Sequence, residues 1–130
     1  MYKQTTHGVS VSVMPVYIDE RSDPEQGFHF WAYRVVLENR SDKTVQLISR
    51  YWRITDCTGQ VEEVRGEGVV GEQPVLEPDT SYTYSSGCPL RADSGIMEGT
   101  YFMTDADGNE LEISIPSFPL DLPDANPVMN

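Results

Sequence analysis

Positive charge is scarce in this sequence: 9 Lys and Arg stand against 21 Asp and Glu, a formal charge of −12 over 130 residues. Such a surface repels phosphate backbones and anionic lipid over most approaches, which removes nucleic acid from the expected partners. No Lys or Arg follows Arg91, while Asp93, Glu98, Asp105, Asp107, Glu110, Glu112, Asp121 and Asp124 do. The C-terminal third is therefore a solvated acidic surface, suited to solubility and to weak association with divalent cations or a basic partner. Cysteine is limited to Cys57 and Cys88, and nothing resembling an export signal precedes Val9, so the expectation is a cytoplasmic protein with reduced thiols. A bond between these two cysteines would need their Cβ atoms within reach, which sequence does not place. Apolar runs of the ~20 residues needed for a membrane helix are missing, so no membrane insertion is expected. Histidine is limited to His7 and His29, and no G-x-S-x-G string occurs, which leaves a catalytic triad or a structural zinc site without its usual parts. The expectation is a protein that is not an enzyme and holds no cofactor.

What the sequence has is period two. Val9, Val11 and Val13 alternate with Ser10 and Ser12, and Phe28 to Asn39 (FHFWAYRVVLEN) puts Trp31, Tyr33, Val35 and Leu37 on one face, the pattern of a central strand. His29 is expected to be exposed or satisfied within this strand, and His7 to lie before the first strand in a mobile terminus. Val45 to Asp56 is a further strand, with Gln46, Ile48, Arg50, Trp52 and Ile54 on one side and Val45, Leu47, Ser49, Tyr51 and Arg53 on the other. Neither of its faces is cleanly polar. Val61 to Arg65 and Thr80 to Ser86 read as strands, and Gly99 to Thr104 pairs with Leu111 to Ile115 across the hairpin turn Asp105-Ala106-Asp107-Gly108-Asn109. The turn imitates a calcium loop only at its start: glycine falls at position four rather than six, and Pro116 stands where a bidentate Glu is required.

About seven strands with turn formers between them and no helical period predict an all-β fold, an immunoglobulin-like or fibronectin type III-like antiparallel sandwich. Residues 1–120 form the expected domain, and 121–130 an extended, acidic, proline-containing tail.

Two places are candidates for recognition. Gly66-Glu67-Gly68-Val69-Val70-Gly71 matches the G-x-G-x-x-G string of dinucleotide-binding proteins, but Glu72-Gln73-Pro74 follows, and Pro74 and Pro78 would break the helix that this mechanism requires. The loop Gly66, Gly68, Gly71, Glu72, Gln73 and Pro74 is left with three readings: glycines placed for backbone geometry, a partner-binding loop, or a nest of N–H groups for phosphate, pyrophosphate or a nucleotide phosphate. Arg50, Trp52 and Arg53 form the second candidate, an interaction face, since Trp and Arg dominate binding energies. The competing reading puts Trp52, like Trp31, in the core.

Three stretches, YRVVLENRSDKTVQLISRYWRITD (Tyr33 to Asp56), VRGEGVVGEQPVLEP (Val64 to Pro78) and YSSGCPLRADSGIMEGTY (Tyr84 to Tyr101), together with Ile115-Pro116-Ser117-Phe118, resemble the ApaG family, also called CorD. The resemblance covers nearly the whole chain except its tail. It implies a fibronectin type III-like sandwich, an association with cobalt resistance and magnesium efflux, and use in adaptor-like proteins, with no defining enzyme activity. A non-catalytic domain that acts on divalent-cation homeostasis through a protein partner is the function it implies. One departure is Tyr51, where the family usually has His, which weakens any proposal of a histidine metal ligand in that segment. The edge strands of a sandwich also leave room for a homodimer.

Overall fold

Successive side chains of a strand point to opposite faces, so unbroken alternation decides which face is buried. The computed structural model describes residues 1–123. They form nine strands, β1 (Tyr2–Thr6), β2 (Val9–Tyr17), β3 (His29–Asn39), β4 (Val45–Asp56), β5 (Val61–Glu67), β6 (Val75–Leu76), β7 (Thr80–Leu90), β8 (Gly95–Asp105) and β9 (Glu110–Leu120). Two antiparallel sheets result, one ordered β1-β2-β3-β7 and the other β5-β4-β8-β9, with β6 pairing the start of β4 beyond the end of β5. This is the β-sandwich that alternation predicts. Val9, Val11, Val13, Trp31, Tyr33, Val35 and Leu37 from the first sheet meet Val45, Leu47, Trp52, Tyr101, Met103, Ile113, Ile115 and Phe118 from the second, all buried. No helix of the described residues is long and apolar enough to cross a membrane.

The expected count of about seven strands misses β1 and β6. β1 (YKQTT) has exposed side chains at four of its five positions, so it carries no alternation to read; the backbone ladder to β2 forms it. His7 consequently lies in a tight turn between β1 and β2, with φ of 51° at His7 and 78° at Gly8, rather than ahead of the first strand. β6 has only two residues, too few to leave a period. β7 continues four residues past the expected end at Ser86, and β9 runs on through Pro119 to Leu120. Of the expected tail, residues 124–130 lie outside the described residues; Asp121 is held by its carbonyl, which accepts the indole N–H of Trp31 at 2.9 Å.

β4 contains the feature that positions the site. Its register against β8 slips between Leu47 and Ser49, making Ile48 an extra residue in a β-bulge. Val45 and Leu47 are buried before the bulge, and Trp52 and Ile54 after it, so the buried set changes from odd to even positions. Arg50 is thereby turned to the same side as Trp52, between the sheets. Asn39 anchors the turn before β4: fully buried, it donates its amide to the carbonyls of Lys43 (2.8 Å) and Leu76 (2.9 Å) and accepts from the Ser41 N–H (3.0 Å).

Candidate functional site

On one side the sandwich is closed by β1 and β9. On the other, β7 of the first sheet and β5 of the second face each other across a gap. Two adjoining clefts lie there, one of about 230 Å³ lined by Val64, Cys88 and Pro89 among others, the second of about 170 Å³ lined by Val69, Val70, Tyr84 and Ser85. Tyr33, Arg50, Trp52 and Ser86 line both.

Arg50 dominates this site. Its Nη1 donates to the carbonyls of Glu67 (3.0 Å) and Gly68 (2.8 Å), which fixes the guanidinium without a carboxylate. Gly66 sits opposite Arg50 in the β4–β5 ladder, and a Cβ there would lie 2.8 Å from Nη1, so the first glycine of the string leaves space for the guanidinium. At Gly68, with φ of +62°, a Cβ would lie 2.2 Å from the Glu72 carbonyl oxygen. That oxygen accepts the Val69 N–H at 2.8 Å, and the Glu72 N–H returns to the Val69 carbonyl at 2.9 Å, closing a two-residue turn over Val70 and Gly71. The N–H groups of Gly68, Val69 and Glu72 thus all donate to backbone carbonyls, and two of the loop's carbonyls face Arg50. The glycines serve backbone geometry, and the loop presents acceptors rather than donors to the cation.

Val70 occupies the turn at φ of 49°, a left-handed conformation that is costly for a β-branched residue, yet its side chain is 63% exposed and packs on little. Val70→Asn, which suits this conformation, is expected to stabilise the chain by about 1 kcal/mol and raise Tm by a few degrees. Calorimetric melting of the two proteins checks it; an unchanged or lowered Tm would show that the turn carries no such strain.

The three residues of the sequence-derived interaction face separate. Trp52 is buried at 3% exposure, with its ring 5.3 Å from Tyr33, 6.3 Å from Tyr101 and 6.0 Å from Phe118, so it belongs to the core and only borders the cleft. Arg53 points outward on the opposite face of β4. It shares that face with Tyr51, whose hydroxyl donates to Glu63 and whose ring lies under Arg65, 4.4 Å from the guanidinium carbon. Glu72 and Gln73 are exposed on the loop, and Gln73 Nε2 donates to the Ile48 carbonyl at 2.9 Å. Pro74 is half-buried, and its carbonyl accepts the Leu47 N–H at 3.0 Å.

Several site residues lie on strands whose sequence carried no chemical signal: Tyr33, Tyr84, Ser86 and Cys88. Burial pushes the Cys88 thiol up to about 12 and raises the phenols of Tyr33, Tyr84 and Tyr101 above their ordinary range; Arg50 pulls all three phenols slightly the other way. All four groups are protonated at neutral pH. His29 is buried and engaged at both ring nitrogens, with Nδ1 2.9 Å from the Tyr17 hydroxyl and Nε2 3.4 Å from an Asp93 carboxylate oxygen. Cys57 is exposed and Cys88 buried, and both are free. Asp105 is the hinge of its turn, accepting from the N–H groups of Asp107 (2.9 Å) and Asn109 (3.0 Å), while Gly108 takes φ of 84°. The Asn109 N–H holds its carboxyl below the usual range. Among the described residues no three His, Cys, Asp or Glu side chains come together to hold a metal ion.

Known proteins similar to this chain share this architecture. Residues 19–105 match the model of the ApaG domain. Protein ApaG of Brucella suis biovar 1 is 54% identical over 130 residues, and Protein ApaG of Brucella anthropi 52%, each alignment covering 100% of both chains. A crystal structure of a Bordetella pertussis protein superposes with a TM-score of 0.87 at 43% identity, covering 95% of this chain and 98% of that one. The chain belongs to the ApaG domain family.

Proposed function

We propose that this chain is a non-catalytic binding domain that captures a protein partner and affects divalent-cation homeostasis through it. The observation that carries this reading is the cleft between β5 and β7, where Arg50 is fixed by carbonyls alone and lies within ion-pair distance of no carboxylate of the described residues. A rigid cation beside aromatic walls is an arrangement of binding sites, since Arg and aromatic side chains contribute most of the energy at interfaces. The protonated thiol and phenols around it support binding over nucleophilic or general-base chemistry, because each must lose its proton to act. The cation link rests on the family resemblance. The acidic surface supports only weak, salt-screened association with Co²⁺ or Mg²⁺, so the effect on cations is assigned to the partner.

Affinity capture from a lysate with the full chain tests this reading. A specific protein is expected to be retained by the wild type and lost with Arg50→Lys, which keeps the charge but not the planar fork. Arg53→Ala, on the exposed face of β4, is expected to move Tm by less than about 2 °C. Equal capture by the Arg50 variant removes the cleft from the reading. Turnover of a metabolite that disappears on a single substitution, or tight stoichiometric binding of Co²⁺ by the purified chain, would remove the reading itself.

A further inference from the structure

A sandwich has four sheet edges, each with a row of backbone N–H and C=O groups that a protein either blunts or leaves available to another strand. Three of the edges are blunted here. β1 and β9 close on one another, with the Ser114 N–H on Thr6 Oγ1 at 3.3 Å and the Tyr2 ring 6.3 Å from Phe118; β9 also carries Pro116, Pro119, Glu110 and Glu112. β5 sets Glu62, Glu63, Arg65 and Glu67 along its seven residues. β7 has none of these devices over most of its length. It is 11 residues long, pairs with β3 in unbroken register from Thr80 to Leu90, and carries no charged side chain, with its single proline, Pro89, next to its end. In a chain of which 23% of residues are charged, a neutral edge of that length is an exception.

The same edge runs along the mouth of the Arg50 clefts, whose walls include Ser85, Ser86, Gly87, Cys88 and Pro89. A strand laid beside β7 would send every second side chain inward, over Trp52, Val64 and Arg50. Nη2 and Nε of Arg50 are not used by the loop carbonyls. Tyr84, Ser85 and Ser86 place hydroxyl groups in the lining of the smaller cleft beside Arg50. A guanidinium edge with hydroxyl donors next to it selects a carboxylate. Glu62, at the other end of the larger cleft beside Cys88, disfavours a second acid there.

We propose that the β7 edge and the cleft beneath it bind an extended segment of a partner protein, which joins the four-stranded sheet as a fifth strand and seats one Asp or Glu side chain on Arg50. This rests on the binding-domain reading and specifies how that binding is done. A second copy of the chain is the poorer occupant. β7 itself (TSYTYSSGCPL) brings no carboxylate to Arg50, and two bodies of charge −12 repel.

The test is selection of random nine-residue displayed peptides on the immobilised full chain, followed by synthesis of those selected. The expected result is an Asp or Glu recurring at one position, a loss of at least tenfold in affinity when that residue becomes Asn or Gln, and slowed amide hydrogen exchange within Thr80–Leu90 on saturation. Thr83→Lys with Ser85→Lys, both exposed on β7, is expected to weaken binding at least tenfold with Tm held. Selected peptides without a common acid, protection located away from β7, or a dimer that the lysine pair dissociates would each overturn the proposal. A protein captured equally well by the wild type and the lysine pair would overturn it too, while leaving the binding-domain reading in place.

Discussion

Trp52→Ala is expected to cost about 3–5 kcal/mol, as truncation of a large buried aromatic does. The indole is shared by both sheets: Tyr33 packs on it edge-on from β3, while Tyr101 and Phe118 meet it from β8 and β9. Its removal opens a cavity at the base of the Arg50 cleft, and β-sheets relax little to fill one. Against a total of about 5–15 kcal/mol for an ordinary domain, the loss is a third or more, with Tm falling on the order of 10 °C or more. Urea unfolding of Trp52→Ala beside Arg53→Ala provides the contrast, since the two side chains leave the same strand on opposite faces. A cost below about 1 kcal/mol at Trp52 would contradict its place at the junction of the sheets.

Alkaline pH is expected to unfold this protein steeply. Tyr33, Tyr84, Tyr101 and Cys88 all have proton affinities raised by burial. Below the ordinary thiol and phenol values of 9.0 and 10.0, all four are protonated in folded and unfolded chains alike, and their contribution is fully present. Above those values the unfolded chain releases protons that the folded chain retains, so stability falls as pH rises. Each group contributes up to about 1.4 kcal/mol per pH unit over the window between its unfolded and its folded value, and the losses act in the same direction. The loss through Cys88 ends near its folded value of about 12. Urea midpoints measured from about pH 8 to about pH 11 should hold and then drop; a constant midpoint across that range would mean that these groups are solvated.

The parts of the fold that were legible in the sequence are those where burial follows an unbroken period. Trp31 through Leu37 in β3 are buried at every second position; Val9, Val11 and Val13 in β2 are buried as their alternation predicts, with Ser10 and Ser12 buried as well on the opposite face, and both strands lie inside their sheet. β4 gave two faces of mixed character because Ile48 shifts the phase midway, and a period computed across the shift averages to nothing. β9 has the same defect: Ile113 and Ile115 are buried, then Pro116, Phe118 and Leu120, with the ladder to β8 slipping between Met97 and Gly99. The site was half visible. Arg50 and the three glycines are conspicuous residue types, whereas Tyr33, Tyr84, Ser86 and Cys88 are ordinary strand residues whose role comes from the way β7 faces β5. Whether Trp52 faced inward depended on the bulge, which sequence does not announce.

The seam between β1 and β9 joins the first and last strands of the described residues. Thr6 and Ser114, which meet there, are 108 positions apart, and Trp31 donates to a carbonyl 90 positions further on. Bringing such distant segments together costs loop-closure entropy before the contacts repay it, which places this domain among slow folders, on the scale of milliseconds to seconds. During synthesis the first hairpin must wait for β9, whose Ser114 lies 108 positions after Thr6, to emerge before its outer edge is covered. Until then the nascent chain depends on its abundant negative charge to keep neighbouring copies apart.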